Sequence, residues 1–237
     1  MKTILHDREF LVGFQLTLGL KLSSKITLQN FISGSNKDFI EHLNHNLVLG
    51  TPFILYIWGQ PSSGKSHLLQ GACHELAYRG MQAGYLDLSC VKDLEILKGL
   101  EHLKMLAFDN YESLSPGAIE YLKRFIASSW PLRRQILMAG TTKLPPVFEG
   151  IEHITSYELQ SLSLEELKVF LRIKAEERGL CLPDDVRDFM ITHCDGNPEA
   201  LLEQLEKIEQ RCDVEKKKLS LKFARLILTA QDSSGVA

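Results

Sequence analysis

The sequence predicts an α/β core built on a parallel sheet with helices on both faces, followed by a small all-helical domain. Three observations carry this. Apolar runs of strand length alternate with amphipathic helical segments as far as Pro145-Pro146, everything after Ser163 has helical periodicity, and a glycine-rich loop joins the first strand to a helix.

The first element is announced by Ser35-Asn36-Lys37-Asp38, a helix start, with Phe39, Ile40, Leu43 and Leu47 at helical spacing over residues 37–48. Phe53-Ile54-Leu55-Tyr56-Ile57-Trp58 is apolar without interruption, as a strand covered on both faces must be. After the loop GQPSSGKSH, Leu68, Leu69, Ala72, Leu76 and Ala77 mark the inner side of a helix that closes near Arg79-Gly80. Runs over 83–88, 104–108 and 135–139 give three more strands, interleaved with helical segments over 92–99 and 117–128. A last strand spans 153–159. Ser163 and Glu166 then form a capping box that opens helices over 164–178, 184–194, 198–211 and 220–230, with Pro183 and Pro198 suited to first helical positions. The resulting divisions are a tail over 1–24, an α/β core over 25–160, a helical domain over 161–230 and a disordered end over 231–237.

The chain has 237 residues, 44% of them apolar, enough for a core domain plus a smaller one. Its 27 Lys and Arg against 30 Asp and Glu give a formal charge of -3, which argues against a grip based on nucleic-acid phosphates. The five cysteines, Cys73, Cys90, Cys181, Cys194 and Cys212, show no metal spacing and read as reduced thiols. Asp7, Arg8 and Glu9 interrupt any secretory run, and no stretch is long and apolar enough to span a bilayer, so the expectation is a soluble, cytoplasmic protein.

Gly59, Gly64, Lys65 and Ser66 match GxxxxGK[ST] in the strand–loop–helix setting its mechanism needs. The glycines let Gly59, Gln60, Pro61, Ser62, Ser63 and Gly64 curl so that main-chain N–H groups converge on phosphate, with the helix N-terminus behind them adding partial positive charge. Lys65 is expected at the β- and γ-phosphates, Ser66 on Mg2+, and His67 just behind. The buried run Met105 to Asp109 ends in a carboxylate suited to hold Mg2+ through water. Asn110 follows, where a hydrolytic site of this architecture carries a carboxylate, and an amide takes no proton from water at neutral pH. Glu112 is either a substitute for that group or a solvated loop residue.

The order of these parts resembles the AAA+ ATPases of the DnaA group, and within it the short Hda-type regulators. The carriers are Gln15-Leu16-Thr17-Leu18-Gly19-Leu20, the lead-in Leu28 to Gly34, the loop with Ser66-His67-Leu68-Leu69 behind it, Phe108-Asp109-Asn110, Gly140 followed by Pro145-Pro146, and Leu182 to Val186. The resemblance implies a five-stranded parallel sheet and ADP or ATP with Mg2+ between core and lid, the lead-in Asn30, Phe31 and Ile32 lying near the base. It further implies DnaA as partner, and binding of the β sliding clamp of DNA polymerase through Gln15, Leu16, Leu18 and Leu20. Those same residues alternate as a strand would, and extended peptides dock as strands.

Three departures qualify the resemblance. No arginine occurs between Arg134 and Arg172, where the family's finger belongs; Arg133 and Arg134 are the nearest candidates and otherwise read as a solvated turn before a strand. Glu199 or Ala200 stands where a sensor-2 arginine is expected, with Arg211 about 18 Å along the same helix. Thr141 and Thr142 stand at the sensor-1 position. The sequence runs out after the lid with no helix-turn-helix domain, so direct DNA contact is expected to be weak or absent. The reading that results is an ADP-held regulator of replication initiation with little hydrolysis, capable of self-association. The alternative is an active ATPase such as a helicase loader. His42 with His45 reads as a solvated helix face, Lys216-Lys217-Lys218 as a solvated turn or a DnaA or nucleic-acid contact, and Trp58 and Trp130 as packing residues.

Overall fold

The computed structural model describes residues 26–100 and 102–229. The clamp-like segment Gln15 to Leu20 and the end over 231–237 lie outside the described residues.

The core contains α1 (Lys37–Leu49), β1 (Phe53–Trp58), α2 (Lys65–Tyr78), β2 (Ala83–Asp87), β3 (Met105–Asp109), α3 (Pro116–Ser129), β4 (Gln135–Gly140) and β5 (Ile154–Glu158). The strands form one sheet in the order β2-β3-β4-β1-β5, and every pairing is parallel. All strands therefore end on the same edge, and the loops that follow β1, β3 and β4 are neighbours there. This is where a ligand of an open parallel sheet belongs.

Continuous apolar strands serve two cores at once. Leu55, Ile57, Met105, Ala107, Leu137 and Ala139 face α1 and α2, packing on Leu43, Leu47, Leu68, Leu69, Ala72 and Leu76. Ile54, Tyr56, Leu106, Phe108, Ile136 and Met138 point the other way, onto Leu122 and Ile126 of α3 and onto Leu94, Leu97 and Leu100. Each fully buried Leu or Ile contributes about 1.5–3 kcal/mol relative to an exposed one. Most such positions here are completely covered.

The segment expected as a helix over 92–99 is a 3-10 helix, Leu94–Leu100. Its buried residues, Leu94, Leu97 and Leu100, recur every third position, and three residues per turn keeps all of them on one line. Pro183 caps α5 from outside instead of occupying its first turn. Arg134 is not part of a solvated turn. It is 5% exposed, with its guanidinium 5.8 Å from the centre of the Phe125 ring. Arg133 is exposed and left-handed, at φ 53°. Both precede Gln135, which pairs with Phe53, so they lie at the opposite end of the strands from the phosphate loop.

The lid is α4 (Leu164–Glu176), α5 (Asp184–His193), α6 (Pro198–Glu215) and α7 (Leu221–Thr229) around a third apolar cluster that includes Leu171, Val186, Met190, Leu201, Leu205 and Ile208. The capping box at its entrance is complete, with Ser163 accepting from the Glu166 N–H and the Glu166 carboxylate accepting from the Ser163 N–H at 2.7 Å. Sheet and lid are joined by Asn36, which is 2% exposed. Its amide donates to the Gln160 carbonyl and accepts from the Gln160 N–H, both at 2.9 Å. Among the described residues no helix is long and apolar enough to cross a membrane, and all five cysteines are free thiols.

Candidate functional site

Main-chain geometry comes first. Between β1 and α2 the chain turns through Ser62 at φ 58° and Gly64 at φ 97°, a conformation that only glycine adopts without strain. A Cβ on Gly64 would lie 2.9 Å from the Phe31 ring, and one on Gly59 would lie 2.5 Å from the Leu159 carbonyl oxygen. Both glycines are required by space, which the motif alone did not reveal. The curled loop delivers the chain into α2, whose first turn has N–H groups with no partner inside the helix. Gln60 and Pro61 are exposed on the outer side of the loop, and Ser66 is exposed on that first turn. The Ser63 hydroxyl is buried with no hydrogen-bond partner. An unpaired buried donor at the bottom of a curled loop suits a polar, anionic group.

Lys65 donates to the carbonyls of Gly59 at 2.9 Å and Gln60 at 2.8 Å, folding its ammonium over the loop. Partial burial lowers its pKa, while the carboxylates of Asp109 and Glu112 act in the opposite direction. The fields of both acids therefore reach the loop's cation.

The lead-in closes the other side. Thr27 and Asn30 bond reciprocally, the Thr27 N–H to the Asn30 Oδ1 at 3.0 Å and the Asn30 N–H to the Thr27 hydroxyl at 3.3 Å. His67 Nε2 lies 3.0 Å from both the Thr27 carbonyl and the Asn30 Oδ1, two acceptors that select the Nε2–H tautomer. Burial is the main reason its pKa is lowered; the Thr27 carbonyl opposes that and Lys174 of the lid reinforces it. Phe31 meets His67 edge-on with ring centres 5.3 Å apart. Phe31 packs with the core while the next residue, Ile32, packs with the lid cluster, so the lead-in straddles the seam. The Glu166 carboxylate approaches the same seam, lying within 3.0 Å of where a Cβ on Gly34 would stand.

Across the strand ends the arrangement is one of side chains. Asp109 is 2% exposed, accepts from the Tyr85 hydroxyl at 2.8 Å and takes the Asn110 N–H at 3.0 Å. Among the described residues no group of three His, Cys, Asp or Glu could hold a metal ion. Ser66 and Asp109 offer a hydroxyl and a carboxylate, oxygen donors of the kind Mg2+ takes beside a ligand's phosphate oxygens. Asn110 is left-handed at φ 54°, and its amide donates to Asp87 at 2.9 Å, so it is turned toward β2. Burial opposes the charge of Asp87, but hydrogen bonds from Asn110 and Ser89 outweigh it and hold the carboxyl below its usual range. Glu112 instead returns to β4, its Oε1 accepting from the Thr141 N–H at 2.7 Å and the Thr141 hydroxyl at 3.2 Å. The Thr142 carbonyl takes the buried Tyr56 hydroxyl at 2.8 Å.

Arg211 pairs with Glu215 at 3.8 Å, and Asn197 caps the N–H groups of Glu199 and Ala200. A second lid residue, Lys174, buried and held by Glu177 at 3.0 Å, acts on His67 through its charge. Sequence reasoning missed Lys174, Tyr85 and Asn36. A lysine on the apolar side of α4 was the available signal for the first, and nothing local marked the other two.

Residues 165–228 match the family described as Hda, lid domain. The fold is similar to domain III of the replication initiation protein DnaA from Thermotoga maritima, with a TM-score of 0.73, 20% identity, and coverage of 87% of this chain and 97% of that one. It is also similar to AMPPCP-bound DnaA from Aquifex aeolicus, with a TM-score of 0.66, 23% identity, and coverage of 80% and 66%. The RuvB Holliday junction branch migration motor of Thermotoga maritima matches with a TM-score of 0.69 at 18% identity, covering 86% of this chain and 72% of that one.

Proposed function

We propose that this chain, an AAA+ fold of the DnaA type carrying an Hda-type lid, is a nucleotide-held regulator of replication initiation. In this reading ADP is the resting ligand with Mg2+, the partners are DnaA and the polymerase sliding clamp, and the setting is the cytoplasm. The protein links clamp to initiator, promotes the initiator's inactivation, contributes little hydrolysis itself and contacts DNA weakly or not at all.

The observation that carries the reading is the seam where the curled loop, the Phe31–His67 lead-in and the lid of matched family meet. Main-chain N–H groups from Gly59 to Lys65 would hold a β-phosphate, Lys65 would neutralise it, and Asn30, Phe31 and Ile32 would border the base. A bound Mg2+ supplies charge neutralisation between phosphates, and Ser66 and Asp109 are the groups that would hold it. Thr141 and Thr142 stand at the sensor-like position, where Glu112 already engages Thr141. Gln15, Leu16, Leu18 and Leu20 would dock in the clamp as an extended segment, and a homo-oligomer is compatible with the reading.

Identifying the nucleotide that co-purifies is the primary test. Bound ADP is the expected outcome, and a strong preference for ATP with rapid turnover would overturn the reading in favour of a helicase-loader-like ATPase. Retention on immobilised clamp should be lost in a Gln15→Ala, Leu18→Ala variant that still binds nucleotide. Unchanged retention would remove the clamp from the proposal.

A further inference from the structure

We infer that Glu112 sets a preference for the diphosphate, by occupying the donors at the end of β4 that a third phosphate would need. The inference rests on the nucleotide reading of the loop.

Position is the first argument. β4 lies between β1 and β3, with Gly140 in register with Trp58 and Met138 with Phe108. The residues just beyond Gly140 therefore stand between the phosphate loop and Asp109. In a loop of this type the lysine spans the β- and γ-phosphates, so a third phosphate lies on the Lys65 side of this gap. Donors that the register brings to this gap are the Thr141 N–H and hydroxyl, and Glu112 Oε1 takes both.

Local structure is arranged to bring the carboxylate there. Asn110 at φ 54° redirects the chain out of β3 into the short turn Tyr111–Ser113, which carries Glu112 back over β4. Gly140 leaves the necessary room. A Cβ at that position would stand 2.9 Å from Glu112 Oε1 and 2.7 Å from the Tyr111 ring, and would run into the Tyr56 hydroxyl. Asn110 cannot take the carboxylate's place, since its amide is turned to Asp87.

Charge gives the direction of the effect. Asp109 and Glu112 are the anions whose fields reach Lys65. A diphosphate gripped by main-chain N–H groups stops short of Glu112, whereas a triphosphate brings further negative charge against a carboxylate and finds its donors taken. Glu112 and Thr141 are both exposed, so solvent weakens the repulsion without removing the competition for donors.

The test is the affinity of ADP and of ATP, each with Mg2+, for the wild-type chain and for Glu112→Gln and Glu112→Ala, by calorimetry, with melting temperature as a folding control. The wild type should favour ADP. Glu112→Ala, which frees the Thr141 donors, should bind ATP about tenfold more tightly, the size of one recovered charge-assisted hydrogen bond, and Glu112→Gln, which removes the charge but keeps an acceptor on Thr141, should gain less, while ADP affinity moves less than about twofold in both. An unchanged ratio of the two affinities overturns the inference, as does equal weakening of both nucleotides. Wild-type ATP turnover that Glu112→Gln abolishes also overturns it, because the carboxylate would then be a base acting on water. If ADP binds and the ratio holds, this inference fails alone. If neither nucleotide binds the wild type, the loop reading fails and takes the inference with it.

Discussion

The two sides of the candidate site are made of different material. Between β1 and α2 the groups that would meet a ligand are main chain, shaped by Gly59, Gly64 and the left-handed Ser62 and folded over by Lys65. Across the gap, at the ends of β3 and β4, the acceptors are side chains already supplied from within the protein: Asp109 takes the Tyr85 hydroxyl, Asp87 the Asn110 amide, and Glu112 the Thr141 N–H and hydroxyl. Main-chain recognition needs only a few small residues and a strand-to-helix order, so it tolerates wide sequence change. Side-chain chemistry has no such protection, and here its acceptors and donors are paired internally.

If this contrast governs binding, damage to the main-chain side should be far costlier. Gly64→Val places a branched side chain at φ 97° and against Phe31. It should weaken ADP by about a hundredfold or more, given the strain and close contact such a change imposes. Calorimetric affinity within tenfold of wild type would show that the loop is not the holder. Phe31→Ala removes the ring that packs on Gly64 and His67, and should cost about tenfold in nucleotide affinity and roughly 1–2 kcal/mol of stability for a partly buried aromatic. Denaturant unfolding with and without ADP separates the two.

Smaller effects distinguish the two sides by pH. His67 has a folded pKa below its ordinary value, so the unfolded chain takes the proton first as pH falls below about 6.5. Stability present above that pH is lost on the acid side. His67→Gln, which keeps a donor for the Thr27 carbonyl, should melt with a shallower fall between pH 7 and pH 5, and an identical fall would locate the titration elsewhere. On the strand-end side, Asp87 has a lowered pKa, so its hydrogen bonds stabilise the fold above the carboxylate range and are lost as pH drops through it. Asp87 is only partly buried, so solvent screening limits the cost of Asp87→Asn to at most about 1 kcal/mol at neutral pH. That difference should shrink as the pH falls through and below the ordinary carboxylate range, as comparative melting curves would show.

Where a residue's neighbours are close in sequence or fixed by a repeating pattern, the chain could be read directly. The strands were visible because both faces of Ile54–Ile57 and Met105–Phe108 are covered, and the loop because its GxxxxGKS spacing falls directly between a strand and a helix. The capping box at Ser163 is a three-residue affair and formed as its letters suggest. Legibility ended where contacts cross the chain. Nothing near Arg134 announced that it would lie over Phe125, and nothing near Glu112 pointed to Thr141, 29 positions away. Asn110 suggested a lost base, but its tie to Asp87 depends on the β2–β3 register, which sequence pattern alone does not determine.

Asn36 has a mechanical consequence. Its amide grips both main-chain groups of Gln160 while the Tyr157 hydroxyl rests on the same oxygen at 3.3 Å. The crossing from β5 into the helices beyond is thereby pinned a few residues from Phe31. The helices beyond thus leave the sheet from a fixed point, close along the chain to the aromatic ring that packs on Gly64, so that ring and the start of the helical domain share one anchor.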